Sequence, residues 1–259
     1  YNYCKVGYRI VKSYTYIIGA NSEIARELIK QYFETGDTSL CLLSTNSSRL
    51  NVFLDELQVN KESNQINVVD YDLSNTEETV EKLLDLRDNF PPQRMFVMVG
   101  YLGNREGLNS EEDIKKIFNV NVNYLSNLFD SLYQKNYLEN IESIHFSSSV
   151  GADLFYKRLF DYYESKRLLN EYLESFRTKV SKLEIKIINM KIGPVYDTKM
   201  GPSSGIFRLV ASSKSEITKN IIQGINGDDQ QYIPSIWKLI INIYKMIPTT
   251  IQEKLKKII

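Results

Sequence analysis

The chain has 259 residues and carries 32 Lys and Arg against 32 Asp and Glu, so no bulk field draws it to nucleic acid. At 42% hydrophobic and 25% charged it reads as a soluble globular protein, one large α/β domain or two small ones. Cys4 and Cys41 form neither a disulfide framework nor a metal set and fit a reducing cytoplasm. His145 is the only histidine, which leaves histidine-based hydrolase triads and zinc sites without support. In the apolar run Ile144-His145-Phe146 it reads as a satisfied strand histidine. Residues 1–12 are Tyr-rich and lack the apolar core of a secretory signal peptide, so they read as an N-terminal extension.

In chain order, short apolar runs alternate with helical patterns, the rhythm of a parallel sheet covered by helices. Strands are expected at Tyr14–Gly19, Leu40–Ser44, Ile66–Tyr71, Met95–Val99, Ser143–Phe146 and Glu184–Met190. Helices are expected at Glu23–Phe33, with Gly36 as C-cap, at Arg49–Leu57 and at Thr76–Leu86. A longer helix should run from Ser110 to about Asn136, opened by the cap Asn109-Ser110-Glu111-Glu112, and another from Ser165 to Arg177. With no repeat and no dividing linker, the economical fold is one doubly wound Rossmann-type domain over residues 13–235, followed by an apolar helical tail at 236–259. Residues 194–218, with Gly201-Pro202-Ser203-Ser204-Gly205, have the composition of a loop or lid over a site.

The segment Ser147-Ser148-Ser149 with Tyr162-Tyr163-Glu164-Ser165-Lys166 carries the most chemistry. Tyr162 and Lys166 are four apart and share a helix face. A neighbouring cation lowers a phenol's pKa and would make Tyr162 a general acid/base. Tyr-x-x-x-Lys also occurs at Tyr1/Lys5 and Tyr8/Lys12, so this spacing alone is weak. Near the start, Ile18-Gly19-Ala20-Asn21-Ser22-Glu23-Ile24-Ala25 is a strand, a tight turn and a helix start. It is either an ordinary βα turn or a sparse phosphate-binding loop in which main-chain amides face the phosphates. After the second strand, Thr45, Asn46, Ser47, Ser48 and Arg49 bring hydroxyls, an amide and a guanidinium but no carboxylate. That set favours the 2′-phosphate of NADP over the ribose hydroxyl of NAD.

Taken in order, Gly19 to Ala25, Asp72-Leu73, Gly100, Asn121, Ser149, Tyr162, Lys166 and Gly193-Pro194-Val195 with Thr198 resemble the short-chain dehydrogenase/reductase family over residues 13–235. The resemblance implies a catalytic set of Asn121, Ser149, Tyr162 and Lys166. Tyr162 would move the proton, Ser149 would hold the substrate oxygen, Lys166 would hold the nicotinamide ribose, and Asn121 would bind a relay water. It also implies a cofactor set of Gly19, Asn21, Ser22, Ile24, Thr45, Asn46, Arg49, Asp72, Leu73, Gly100, Tyr162, Lys166, Gly193, Val195 and Thr198, with no metal. Homodimers or homotetramers are the family's expected assemblies. Departures are visible. The family's Asn-Asn-Ala-Gly reads Val97-Met98-Val99-Gly100, its Pro-Gly loop reads Ile192-Gly193-Pro194, and Asp197 stands where a threonine is expected.

Gly-Ala-Asn-Ser-Glu-Ile-Ala and Val-Gly-Tyr-Leu-Gly-Asn resemble a branch of that family linked to cell-envelope glycan synthesis, which implies a sugar or lipid-linked sugar as substrate. The tail is apolar and basic, with Trp237, Lys238, Tyr244 and Lys245 and then Leu255-Lys256-Lys257-Ile258-Ile259. It is too short and too charged to span a bilayer. It reads either as a helix packed on its own domain or a subunit, or as a peripheral contact with the inner membrane face of a cytoplasmic protein, through Trp237 and Tyr244. Two other functions stand beside the reductase: a soluble nucleotide-sugar or polyol dehydrogenase or epimerase, and a non-catalytic dinucleotide-binding regulator.

Overall fold

Apolar runs too short for helices become strands, and the amphipathic stretches between them become helices. The computed structural model describes residues 3–6, 9–36, 39–59, 65–154, 159–202, 206–248 and 250–252. In chain order the elements are Tyr3–Val6 (β1), Arg9–Lys12 (β2), Tyr14–Ile18 (β3), Glu23–Glu34 (α1), Leu40–Ser44 (β4), Ser47–Glu56 (α2), Ile66–Asp70 (β5), Thr76–Arg87 (α3) and Pro92–Val97 (β6). Then come Glu111–Phe118 (α4), Tyr124–Gln134 (α5), Ser143–Ser149 (β7), Phe160–Lys179 (α6), Lys186–Ile192 (β8), Ile206–Leu209 (α7), Lys214–Gln223 (α8), Gln230–Ile233 (β9) and Ile236–Met246 (α9).

Seven strands form one parallel sheet in the order β5-β4-β3-β6-β7-β8-β9, and β1 and β2 pair separately as an antiparallel hairpin. The order reverses between β3 and β6, and in such sheets ligands bind outside the carboxyl ends of the strands at that reversal. Ile18 lies opposite Val97 there, and the Met98 amide donates to the Ile18 carbonyl at 2.7 Å. All six expected strands are present, Leu40–Ser44 with the bounds expected and the other five with shifted ends, while the β1-β2 hairpin, α8 and β9 were not expected. The loop expected at 194–218 contains α7 and a bridge from Val195 to Ser212; Ser203, Ser204, Gly205 and the tail residues 253–259 lie outside the described residues.

The expected helix from Ser110 to Asn136 is not continuous. Ser110 caps α4 in a reciprocal box with Asp113, but Asn119–Asn123 is a turn of π-helix before α5 begins. The cause is local. Asn119 and Asn123 bond each other side chain to side chain at 2.9 Å, and Asn121 sends its amide sideways to Tyr101. Such wide turns recur at functional sites.

The chain divides into two compact units. The first comprises Tyr1–Val99, Tyr124–Phe146 and Ser175–Ile187. Its core holds β3 and β4, buried along their whole length, with Leu28, Ile29 and Tyr32 of α1; each such side chain contributes about 1.5–3 kcal/mol by leaving water. His145 is fully buried here and stacks on Phe96 at 4.6 Å. Its Nε2 meets Ser143 Oγ at 3.0 Å while Nδ1 has no partner, so the expected satisfied histidine is satisfied at one nitrogen only. Burial pushes its pKa down to about 3 and keeps it neutral. The second unit comprises Gly100–Asn123, Ser147–Glu174 and Ile188–Ile259. Trp237 and Ile241 of α9 are buried in it, with Leu169 and Leu173 of α6.

Candidate active site

In the first unit, the turn after β3 depends on one glycine. Gly19 has φ +84°, and a Cβ there would lie 2.9 Å from the Met98 carbonyl carbon and oxygen. A side chain is excluded on both counts. The Gly19 and Ala20 amides donate to the Leu43 carbonyl at 3.0 and 2.9 Å, and Ser22 caps α1 by accepting from the Ala25 amide. Glycine is therefore required where Met98 main chain crowds the turn, the Gly19 and Ala20 amides are spent on β4, and the N-terminus of α1, capped by Ser22, is the part that fits a dinucleotide pyrophosphate. Asn21 does not face outward from this turn. Its side chain donates to Ser44 Oγ and the Asn46 carbonyl and accepts from Arg26, which ties the turn to the end of β4.

Arg26 is a residue that sequence spacing missed. It lies one turn into α1, and its guanidinium also donates to the Arg49 carbonyl at 3.2 Å and lies over the Phe53 ring. Its Nε is buried without a partner, and burial followed by the Arg49 charge pulls its pKa down. Glu23, the first residue of α1, is one of the carboxylates that act back on Arg26. Asn46 caps α2, and Thr45 and Arg49 are exposed beside it. Asp70 is the second missed residue. It lies opposite Ser44 at the end of β5, so a carboxylate does reach the end of the second strand from its neighbour. Both its oxygens are taken, by the Ser47 amide and hydroxyl at 2.7 Å each. Asp72 is exposed, with its pKa lowered by hydrogen bonds from Ser74, and Leu73 is half-buried.

In the second unit the catalytic candidates converge. Asn121 is fully buried; its Oδ1 accepts from the Tyr101 amide at 2.8 Å, and its Nδ2 donates to the Tyr101 carbonyl and to Ser165 Oγ, both at 2.9 Å. Ser165 Oγ donates to the Tyr162 carbonyl at 2.7 Å. Lys166, only 2% exposed, donates to the Ser147 carbonyl at 3.0 Å and lies 5.9 Å from the centre of the Tyr162 ring. A Cβ on Gly100 would come within 3.5 Å of that ammonium and 3.9 Å of Asn121 Oδ1, so Gly100 closes the same space. Ser165 and Tyr101 were not singled out from sequence, because neither belongs to a spaced motif.

The three serines divide the work of the strand end. Ser147 offers its carbonyl to Lys166, Ser148 donates to Asn170 Oδ1 at 2.6 Å, and Ser149 accepts from the Gly151 amide at 3.1 Å and so caps the 3₁₀ turn Val150–Asp153. The far end of that turn is anchored. Asp153 takes Lys191 of β8 at 2.8 and 3.0 Å and the Tyr232 hydroxyl of β9 at 2.8 Å. Tyr163 is committed elsewhere. Its ring occupies the space a Cβ on Gly151 would need, and it lines a cavity of about 210 Å³ with Asp153, Glu164 and Arg167. Arg167, the residue at Lys spacing from Tyr163, is bound by Glu164 and Glu171.

One expectation is reversed. Tyr162 is half-buried, and burial raises its pKa to about 12 where the adjacent cation was expected to lower it. Burial also brings Lys166 down to about 8, so desolvation outweighs the mutual attraction and favours the neutral form of each. At pH 7 the phenol holds its proton and the ammonium keeps its charge.

The loop after β8 completes the set. The Gly193 amide donates to the Ile233 carbonyl at 2.8 Å, and a Cβ on Gly193 would overlap the Trp237 indole. Val195 is buried and Thr198 donates to its carbonyl at 3.0 Å. Asp197, in the expected threonine place, accepts from the Lys214 amide at 2.8 Å near the start of α8.

A doubly wound parallel sheet with a glycine-dependent turn at its switch point is a nucleotide-binding fold. The short chain dehydrogenase family matches residues 13–206. The chain belongs to that family of NAD(P)-dependent oxidoreductases. No curated protein matches it. Its fold is shared with a short-chain dehydrogenase from Burkholderia cenocepacia J2315 in complex with NADP, at 15% identity over 94% of this chain and 97% of that one, TM-score 0.76. It is shared also with one from Streptomyces avermitilis, at 13% identity over 95% and 96%, TM-score 0.71. A third, from Escherichia coli CFT073 and complexed with NADPH, is 17% identical over 85% and 95%, TM-score 0.71.

Proposed function

We propose that the protein is an NADP-dependent reductase of a keto group on a sugar or lipid-linked sugar used in cell-surface glycan synthesis. The observation that carries the redox reading is the network Asn121–Ser165–Tyr162 with Lys166 held on the Ser147 carbonyl. When bound, the nicotinamide supplies the hydride. Tyr162, neutral at pH 7, gives its proton to the substrate oxygen, and this favours reduction over oxidation. Ser149, at the cap of an anchored turn, donates a hydrogen bond to that oxygen. Lys166 holds the nicotinamide ribose hydroxyls with its charge. The Asn121 side-chain amide is already engaged by Tyr101 and Ser165, so a proton relay through Asn121 starts from main-chain groups of its π turn.

NADP is favoured over NAD by Arg49, exposed beside the end of β4, and by the engagement of Asp70 with Ser47. The NADP and NADPH of two structural neighbours support the same choice. The sugar assignment rests on the resemblance of the Gly19 turn and of Val99-Gly100-Tyr101-Leu102-Gly103-Asn104 to the glycan branch. A non-catalytic binder has no need of Asn121, Ser149, Tyr162 and Lys166 together. NADPH oxidation over a panel of nucleotide-linked, lipid-linked and free keto-sugars and of non-sugar ketones tests the reading: turnover confined to sugars supports it, while turnover confined to non-sugar ketones removes the sugar and keeps the reductase.

A further inference from the structure

Helix α9 has two apolar faces. Trp237 and Ile241 turn inward, and the helix packs on β9 and on the turn Val150–Asp153. Ile236, Leu239, Ile243 and Met246 are 52, 56, 53 and 85% exposed. Their spacings of three, four and three put them on one stripe of the helix. This corrects the expectation that Trp237 and Tyr244 face outward: Trp237 is in the core and Tyr244 is half-buried. A contiguous apolar stripe open to water marks an interaction surface.

Charge selects the partner. Lys238 and Lys245 lie on the same helix, and no Asp or Glu occurs from 236 to 252. The sequence beyond adds Lys254, Lys256 and Lys257 against Glu253, in a chain whose formal net charge is zero. Two copies meeting through this face would bury the stripe but leave the positive charge of both helices uncompensated. An anionic lipid surface would take the apolar stripe directly and draw Lys238 and Lys245, which stand roughly 120–140° round the helix from it, by their long stems from the flank. Among the described residues no helix is long and apolar enough to cross a membrane.

We propose that α9 lies in the plane of an anionic bilayer, with Ile236, Leu239, Ile243 and Met246 below the headgroups and Lys238 and Lys245 on lipid phosphates. The inner side of the same helix reaches the site, because Trp237 packs against Gly193 and α9 packs on the turn that Ser149 caps. Docking therefore holds that turn roughly one helix diameter, about 10 Å, from the lipid. Given the function proposed above, the site is then presented to substrates whose lipid stays in the bilayer.

Flotation of the full chain with phosphatidylglycerol and with phosphatidylcholine vesicles tests this, using Leu239→Asp/Ile243→Asp and Lys238→Glu/Lys245→Glu. Both pairs change exposed side chains, and NADPH binding monitors the fold. Binding to phosphatidylglycerol alone, weakened about tenfold or more in each pair, is expected. Wild-type protein that stays with the soluble fraction, or flotation undiminished in Leu239→Asp/Ile243→Asp, overturns the proposal. A wild-type dimer that Leu239→Asp/Ile243→Asp makes monomeric, without vesicle binding, overturns it in favour of a second copy. Flotation without NADPH oxidation on any keto-sugar upholds docking and fails the sugar-reductase reading.

Discussion

The Asn121 side chain donates to the Ser165 hydroxyl at 2.9 Å, and both residues are fully buried. Through this bond the π turn Asn119–Asn123 grips the first turns of α6, whose Tyr162 carbonyl accepts from the same hydroxyl. Asn121→Leu strands both the Tyr101 amide and Ser165, at about 1–3 kcal/mol for each unsatisfied group. Ser165→Ala leaves Asn121 its bonds to Tyr101 and should cost only about 1 kcal/mol. Urea unfolding of the two variants and their double mutant should show coupling of at least about 0.5 kcal/mol; strict additivity contradicts the network.

Gly19→Ala should abolish NADPH binding, since the new methyl meets Met98 main chain at 2.9 Å with φ at +84°. Gly36 has φ +79° but nothing within 4 Å, so Gly36→Ala should cost about 1 kcal/mol and leave binding intact. Fluorescence titration with NADPH separates them.

Arg49→Ala should raise the NADPH dissociation constant about tenfold, ~1.4 kcal/mol, with little change for NADH. Arg26→Gln should affect both nucleotides, because Arg26 braces Asn21 and the Gly19 turn. Equal losses for the two nucleotides in Arg49→Ala would remove the 2′-phosphate assignment.

Lys166 makes a signed prediction in pH. Its folded pKa of about 8 lies below the ordinary 10.5, so the buried ammonium costs stability at neutral pH and the cost fades between about pH 8 and 10.5. Lys166→Met should therefore be more stable than wild type at pH 7, by at most about 3 kcal/mol, and the gap should close as pH rises to 10. Reductase activity of the wild type should fall as pH passes about 8. A pH-independent stability gap would contradict a depressed pKa.

What sequence could read here was what periodicity and spacing encode. Buried runs such as Tyr14–Ile18 and Leu40–Ser44 announce strands, and Asn121, Ser149, Tyr162 and Lys166 hold recognisable separations. It could not read partners that meet only through folding. Asp70 at the end of β5 joins Ser47 at the start of α2, Asp153 joins Lys191 and Tyr232, and Ser165 owes its role to Asn121. The sign of the Tyr162 shift was misread because charge proximity is visible in spacing, while desolvation depends on what packs around the pair. Strand β9 was missed because Gln230-Gln231-Tyr232-Ile233 is short and mostly polar.

The central claim is that Tyr162, not its neighbour Tyr163, donates the proton. Rates of NADPH oxidation by Tyr162→Phe and Tyr163→Phe, taken on a keto-sugar that the wild type reduces and at saturating nucleotide, test it directly. Tyr162→Phe should lose about 10²–10⁴-fold in rate while NADPH binding survives, and Tyr163→Phe should stay near wild type. Undiminished turnover in Tyr162→Phe would contradict the account.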